Sequence, residues 1–155
     1  MSRVVVNEIE AKVGNDISFN DTVKIDTIKG KTTAGSILVT GEGNSTTTNL
    51  QQGLAKCWIN FEGDGTIAIS DSLNVSGITD RGTGNYTIAI NNDMANATYS
   101  VTGSGTHDAG SYFAICVISH DTGLTAGSCP TDYLDNAATA RDVELACTTI
   151  HGDLA

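Results

Sequence analysis

The side chains that could do chemistry are few and scattered. Three histidines stand at positions 107, 120 and 151. Two of them head similar tetrads, His107-Asp108-Ala109-Gly110 and His120-Asp121-Thr122-Gly123. A His/Asp pair can serve acid–base work or ligate a metal. The tetrads flank an apolar run, however, so they fall at opposite ends of one strand and cannot meet within a chain. Asp followed by Gly is also ordinary turn chemistry. Four cysteines, Cys57, Cys116, Cys129 and Cys147, include no C-x-x-C pair, which weakens zinc and thioredoxin-type readings. Cys116 lies inside Tyr112-Phe113-Ala114-Ile115-Cys116-Val117-Ile118. Cys147 alternates with Val143 and Leu145, so it is expected to face inward; whether Cys116 and Cys147 pair stays open. Buried free thiols are the plain expectation.

Gly63-Asp64-Gly65-Thr66 is glycine-rich but joins two strand-like runs, whereas a phosphate cradle needs a helix N-terminus. Nucleophile elbows, P-loops, dinucleotide fingerprints, H-E-x-x-H and EF-hand loops are missing from the sequence. No catalytic, cofactor-binding or metal-ligating residue is assigned, and the chain is not expected to be an enzyme. Abundant Asp and Asn leave an adventitious Ca²⁺ site open. Sequons at Asn20, Asn44, Asn74, Asn85 and Asn96 are read as composition. Trp58, the single tryptophan, points opposite to Ile59 and Phe61 by alternation. It suits a domain or subunit junction, or else a sugar-stacking platform.

Composition fixes what must position these residues. The 155 residues are 39% hydrophobic and only 17% charged, with 17 Gly and one Pro. Val, Ile and Thr are plentiful and spread along the chain. This is an all-β composition with many turns; it excludes a helix bundle, a coiled coil and a Leu/Ala-rich α/β enzyme. No apolar run approaches the ~18 residues that span a bilayer. The short apolar start, with acids directly after it, is not expected to act as a signal peptide.

Three sections differ in texture. Residues 1–40 alternate in short runs at 3–9, 16–19, 22–28 and 36–40, read as an N-terminal oligomerising β-arm. Residues 41–56 are a linker in which Thr48 or Asn49 caps a short helix. Residues 57–155 read as an antiparallel, jelly-roll-like β-sandwich head. Its candidate strands are 57–61, 66–70, 72–78, 85–91, 97–102, 111–120 and 141–150, with 121–140 left as a long loop suited to recognition. Residues 1–56 hold six bases and six acids; residues 57–155 hold two bases and twelve acids, so the net charge of −10 sits in the head. Such a head has no electrostatic footprint for nucleic acid.

The arm is too small to offset its ordering entropy, about 1–2 kcal/mol per residue, from a core of its own. Sharing a core among three chains, as a trimeric β-prism or spiral, would bury its apolar faces and pair its strand edges.

Residues 23–36 and 41–56 resemble a segment of structural proteins of marine tailed bacteriophages. Cys57-Trp58-Ile59-Asn60-Phe61-Glu62-Gly63-Asp64-Gly65-Thr66 and Gly77-Ile78-Thr79-Asp80-Arg81-Gly82-Thr83-Gly84-Asn85-Tyr86-Thr87 resemble the β-rich C-terminal modules of phage tail fibres and similar virion appendages. The resemblance covers residues 23–102. It implies a homotrimeric, non-enzymatic virion protein with no catalytic residues or cofactor, bound to other tail or capsid proteins through its arm. Its head would meet a host-surface glycan or protein, with no membrane insertion. Tail fibres usually carry a long shaft and a dedicated attachment domain, which this sequence lacks; a short fibre, a head fibre or a capsid decoration protein fits better. A carbohydrate-binding lectin module is the alternative outside that family.

Overall fold

In the computed structural model, residues 22–30, 37–43, 45–107 and 112–155 are described. The expected runs at 3–9 and 16–19 lie outside them. The regular structure of the described residues is almost entirely β, and it divides into a small hairpin and a large head.

The hairpin pairs β1 (Leu38–Thr40) with β2 (Thr47–Asn49). One helical turn follows at once, α1 (Leu50–Gly53). Asn49 caps it: its side-chain oxygen accepts from the backbone N–H of Gln51 at 2.8 Å and of Gln52 at 3.4 Å, satisfying donors that a helix start leaves free. The run at 22–28, expected as a strand, takes no part in either sheet and bends at Asp26. Alternation prescribes which face a strand would bury, but a strand also needs a ladder partner.

The head is one antiparallel sheet of eight strands, nearly closed on itself. In chain order they are β3 (Cys57–Glu62), β4 (Ala68–Leu73), β5 (Val75–Gly82), β6 (Asn85–Ile90), β7 (Ser100–His107), β8 (Tyr112–Ile118), β9 (Ser128–Leu134) and β10 (Leu145–His151). Across the sheet they run β4-β3-β10-β7-β8-β9-β6-β5. The expected sandwich thus takes the form of a single curled sheet. Its two edges, β4 and β5, are consecutive in the chain and separated by Asn74 alone. Residues 68–82 therefore form one bent ribbon whose first half pairs with β3 and whose second half pairs with β6. Asn74 makes the bend at φ 59°, a left-handed conformation that Asn tolerates better than most residues. Its side-chain oxygen accepts from the backbone N–H of Asn92 at 2.7 Å, and its amide donates to the Asn92 carbonyl at 3.0 Å.

Inward-facing residues fill the interior: Ile59 and Phe61 from β3, Tyr86 and Ile88 from β6, Tyr133 from β9, and Ala146 and Ile150 from β10. Phe61, Tyr86 and Tyr133 meet edge to face, with ring centroids 5.0, 5.8 and 5.9 Å apart, the favoured arrangement for aromatic quadrupoles. Space for the rings comes from glycine. A Cβ on Gly105 would lie 3.0 Å from the Tyr133 ring, and one on Gly63 would overlap the Tyr86 phenol.

Two expectations are corrected here. The loop expected over 121–140 contains β9, an interior strand paired with both β6 and β8. Cys147 faces outward, because the buried positions of β10 are Ala146, Thr148 and Ile150. Val143 is buried from the irregular segment before the strand, so counting inward from it gives the wrong parity.

Candidate interaction site

The dispersed polar residues do not converge. Among the described residues, no group of three or more His, Cys, Asp or Glu is placed to hold a metal ion. His120 and Asp121 touch at 3.5 Å, both fully in solvent, just beyond Ile118 at the end of β8, whereas His107 is in register with Tyr112 at the start of that strand. Asp108 lies outside the described residues. His151 ends β10, half-buried. The Gly63-Asp64-Gly65 turn links β3 to β4, as its strand-to-strand position suggested. No described helix is long and apolar enough to cross a membrane.

Each cysteine is a free thiol. Cys57 and Cys129 are buried, and burial alone pushes the Cys57 thiol up to about 11. Burial, with Cys116 nearby, pushes Cys129 up to about 12. Cys116 faces inward and is also raised, chiefly by burial. These groups stay protonated at neutral pH and serve as small apolar fillers. Cys147, on the other face, accepts from the Asn60 amide at 3.4 Å. Cys116 and Cys147 therefore lie on opposite faces of the sheet.

Several polar side chains build structure. Asn96 accepts from the backbone N–H of Thr98 at 2.8 Å, an Asx turn. Asp135 accepts from the backbone N–H groups of Ala137 and Thr139, each at 2.9 Å, and from Arg141 Nε at 2.9 Å. The Thr139 bond and then the Arg141 guanidinium hold its carboxyl below the usual carboxylate range. Asp142 accepts from the Gly84 backbone N–H at 2.7 Å and from the Tyr86 hydroxyl at 3.2 Å. Trp58 points outward, half-buried, between Leu73 of β4 and Thr149 of β10.

Apolar surface is where the molecule departs from a self-sufficient domain. Among the described residues, none before Lys56 is buried. Yet Val23, Ile25, Ile28, Leu38, Val39 and Leu54 are all large, apolar and exposed. Val39, Leu50 and Leu54 line a hollow of about 240 Å³ between the hairpin and α1. This neck is tied to the head by polar bonds instead. The Lys56 ammonium donates to the carbonyls of Gln51 and Leu54, and its backbone N–H donates to Ile150 at 2.9 Å. Gln52 donates to the Asp153 carboxylate.

The chain matches no protein-family model, no curated protein and no solved structure. The surfaces themselves must carry the functional argument. The exposed apolar side chains of the hairpin, beside a nearly closed β head, are apolar area of the kind that contacts between protein surfaces cover.

A second apolar surface was not singled out from the sequence. Phe113 and Ile115 of β8 face solvent, while Ala114 and Cys116 face inward. The signal was present: Phe113-Ala114-Ile115-Cys116 is apolar at both parities, the pattern of a strand covered on both faces.

Proposed function

We propose that this chain is a structural subunit of a bacteriophage virion: a short homotrimeric fibre or appendage whose N-terminal arm assembles with other copies and seats on tail or capsid proteins. Its acidic head faces outward, where it is available for host-surface recognition. The observation that supports this reading is the lack of any buried described residue before Lys56 beside six exposed large apolar side chains, five in the arm and Leu54 in the linker. Apolar area at about 25 cal/mol per Å² rewards association strongly, and a single copy leaves that area in water. The resemblance of residues 23–102 to phage appendage proteins supplies the setting. The head's charge of −10 keeps assembled copies soluble and turns nucleic acid away.

Sedimentation of the intact 16.0 kDa chain tests the reading. Three copies per particle at micromolar concentration is the expected result; a monomer overturns it. Mass spectrometry of purified virions tests the setting, and absence of the chain from the particles overturns that part.

A further inference from the structure

The head bears an outward surface that is both apolar and free of charge. Thr106 of β7 is in register with Leu145 of β10 on one side and Phe113 of β8 on the other. Ser104, on the same face of β7, is in register with Ile115. Register partners share a face of the sheet, so Phe113, Ile115 and Leu145 stand together in solvent, flanking Ser104 and Thr106. Phe113 is 62% exposed, Ile115 52% and Leu145 47%. The strands β7, β8 and β10 contain no Asp, Glu, Lys or Arg, although the head as a whole has twelve acids and two bases. Acids begin on the neighbouring strands, with exposed Glu62 at the end of β3 and half-buried Asp132 in β9.

Charge and area together decide what covers this surface. A second copy of the head carries the same surplus of acids, so two copies repel through any face that displays them and least through this one. A basic partner, by contrast, is drawn to the acids and gains nothing from a face without charge. The three side chains expose apolar area on the order of 300 Å². Two such faces in contact bury about 600 Å², short of the roughly 1,200 Å² that a stable pairing of free proteins needs. The surface is too small to hold separate heads together, but it adds to the association of copies already joined through their arms. Hydrogen bonds from Gln52 and Lys56 tie the neck to the head, so arms that associate carry their heads with them. Heads linked in this way meet at effective concentrations on the order of millimolar.

We propose that the outer face of β10, β7 and β8 is where the heads of one assembly meet. It turns toward the axis that the copies share, and Phe113, Ile115 and Leu145 of each copy cover those of its neighbours. The inference rests on the homo-oligomeric reading above and goes beyond it by giving the head, as well as the arm, a contact between copies.

The test uses the intact chain carrying Phe113→Asp or Phe113→Lys. Either variant alone brings like charges together at the axis and is expected to raise the concentration at which assemblies half-dissociate by about tenfold or more. An equal mixture of the two should recover most of that loss, because opposite charges then face each other. Recovery on mixing is specific to a surface that meets its own copy. The exposed position spares the core, and unchanged Trp58 fluorescence checks that the head is folded. Benzoylphenylalanine in place of Phe113, in an equal mixture of isotopically light and heavy copies, locates the contact: irradiation is expected to join light to heavy chain within β7, β8 or β10. Variants that assemble as tightly as the unmodified chain, a mixture that does not recover, or cross-links that map elsewhere or only within one chain overturn the inference, while oligomers of the unmodified chain keep the homo-oligomeric reading. Cross-links in purified virions that join position 113 to a different protein overturn it as well. An unmodified chain that sediments as a monomer overturns both.

Discussion

The hydroxyl of Tyr133 lies 2.8 Å from that of Thr148, although β7 and β8 separate their strands in the sheet. The bond spans the interior instead of following the ladder. It satisfies two buried hydroxyls at once, and Tyr133 Oη also lies 3.3 Å from the Cys147 carbonyl. Gly105 leaves the room that the Tyr133 ring needs.

Tyr133→Phe keeps the ring and its aromatic contacts but leaves Thr148, 1% exposed, without that partner. The expected loss is about 1–3 kcal/mol, the desolvation cost of an unsatisfied buried group. Urea unfolding followed by Trp58 fluorescence checks it. Tyr133→Phe combined with Thr148→Val should recover part of the loss, because both polar groups are then gone.

Asn74 separates two contributions in one residue. Asn74→Ala meets the left-handed φ, worth about 1–2 kcal/mol, and loses the bonds to Asn92 as well. Asn74→Gly loses only the bonds. The alanine variant should therefore be the less stable of the two, and equal urea midpoints would refute the assignment.

The thiols set an alkaline limit. Cys57 and Cys129 titrate from the ordinary 9.0 when unfolded and at about 11 and about 12 when folded. The fold thus binds more protons than the unfolded chain above pH 9, so stability falls as pH rises. The slope is about 1.4 kcal/mol per pH unit for each such group, until the folded values are passed. Urea midpoints between pH 8 and 11 measure it. At pH 8, Ellman's reagent should modify Cys147 in the native chain well ahead of the other three cysteines, which should react on unfolding.

Asp135 sets the behaviour in acid. Its folded pKa is depressed, so its contribution is complete above the unfolded value of about 4 and is lost as pH falls through the folded value. Asp135→Asn should flatten the acid limb of the stability profile, and an unchanged limb would assign acid unfolding to other carboxylates.

Where alternation was regular, the sequence located the strands well: β3, β6 and β8 lie within a few residues of the runs read for them. Asn49 was legible as a cap because its type and place suit one. β9 was not, because Ser128-Cys129-Pro130-Thr131-Asp132 is polar and contains the only proline. Pro130 is tolerated for a geometric reason. Its carbonyl accepts from Ser119 at 3.0 Å, so its nitrogen faces the same side, just past the end of β8. No ladder carbonyl there needs a donor. The outward Cys147 was missed because a buried residue outside a strand carries no information about the strand's phase. The exposed apolar surface was half legible: the arm's shortage of core could be read from its length, whereas the grouping of Phe113, Ile115 and Leu145 on one face depends on which strands are neighbours.

The pairing of β3 with β10 has a consequence for the order of events in a growing chain. The ribosome delivers the first strand of the head long before its partner, and contacts this distant in sequence form slowly. The arm is therefore in solution before its own head can close. On the homotrimeric reading, nascent copies made side by side would meet through their arms before any head is complete.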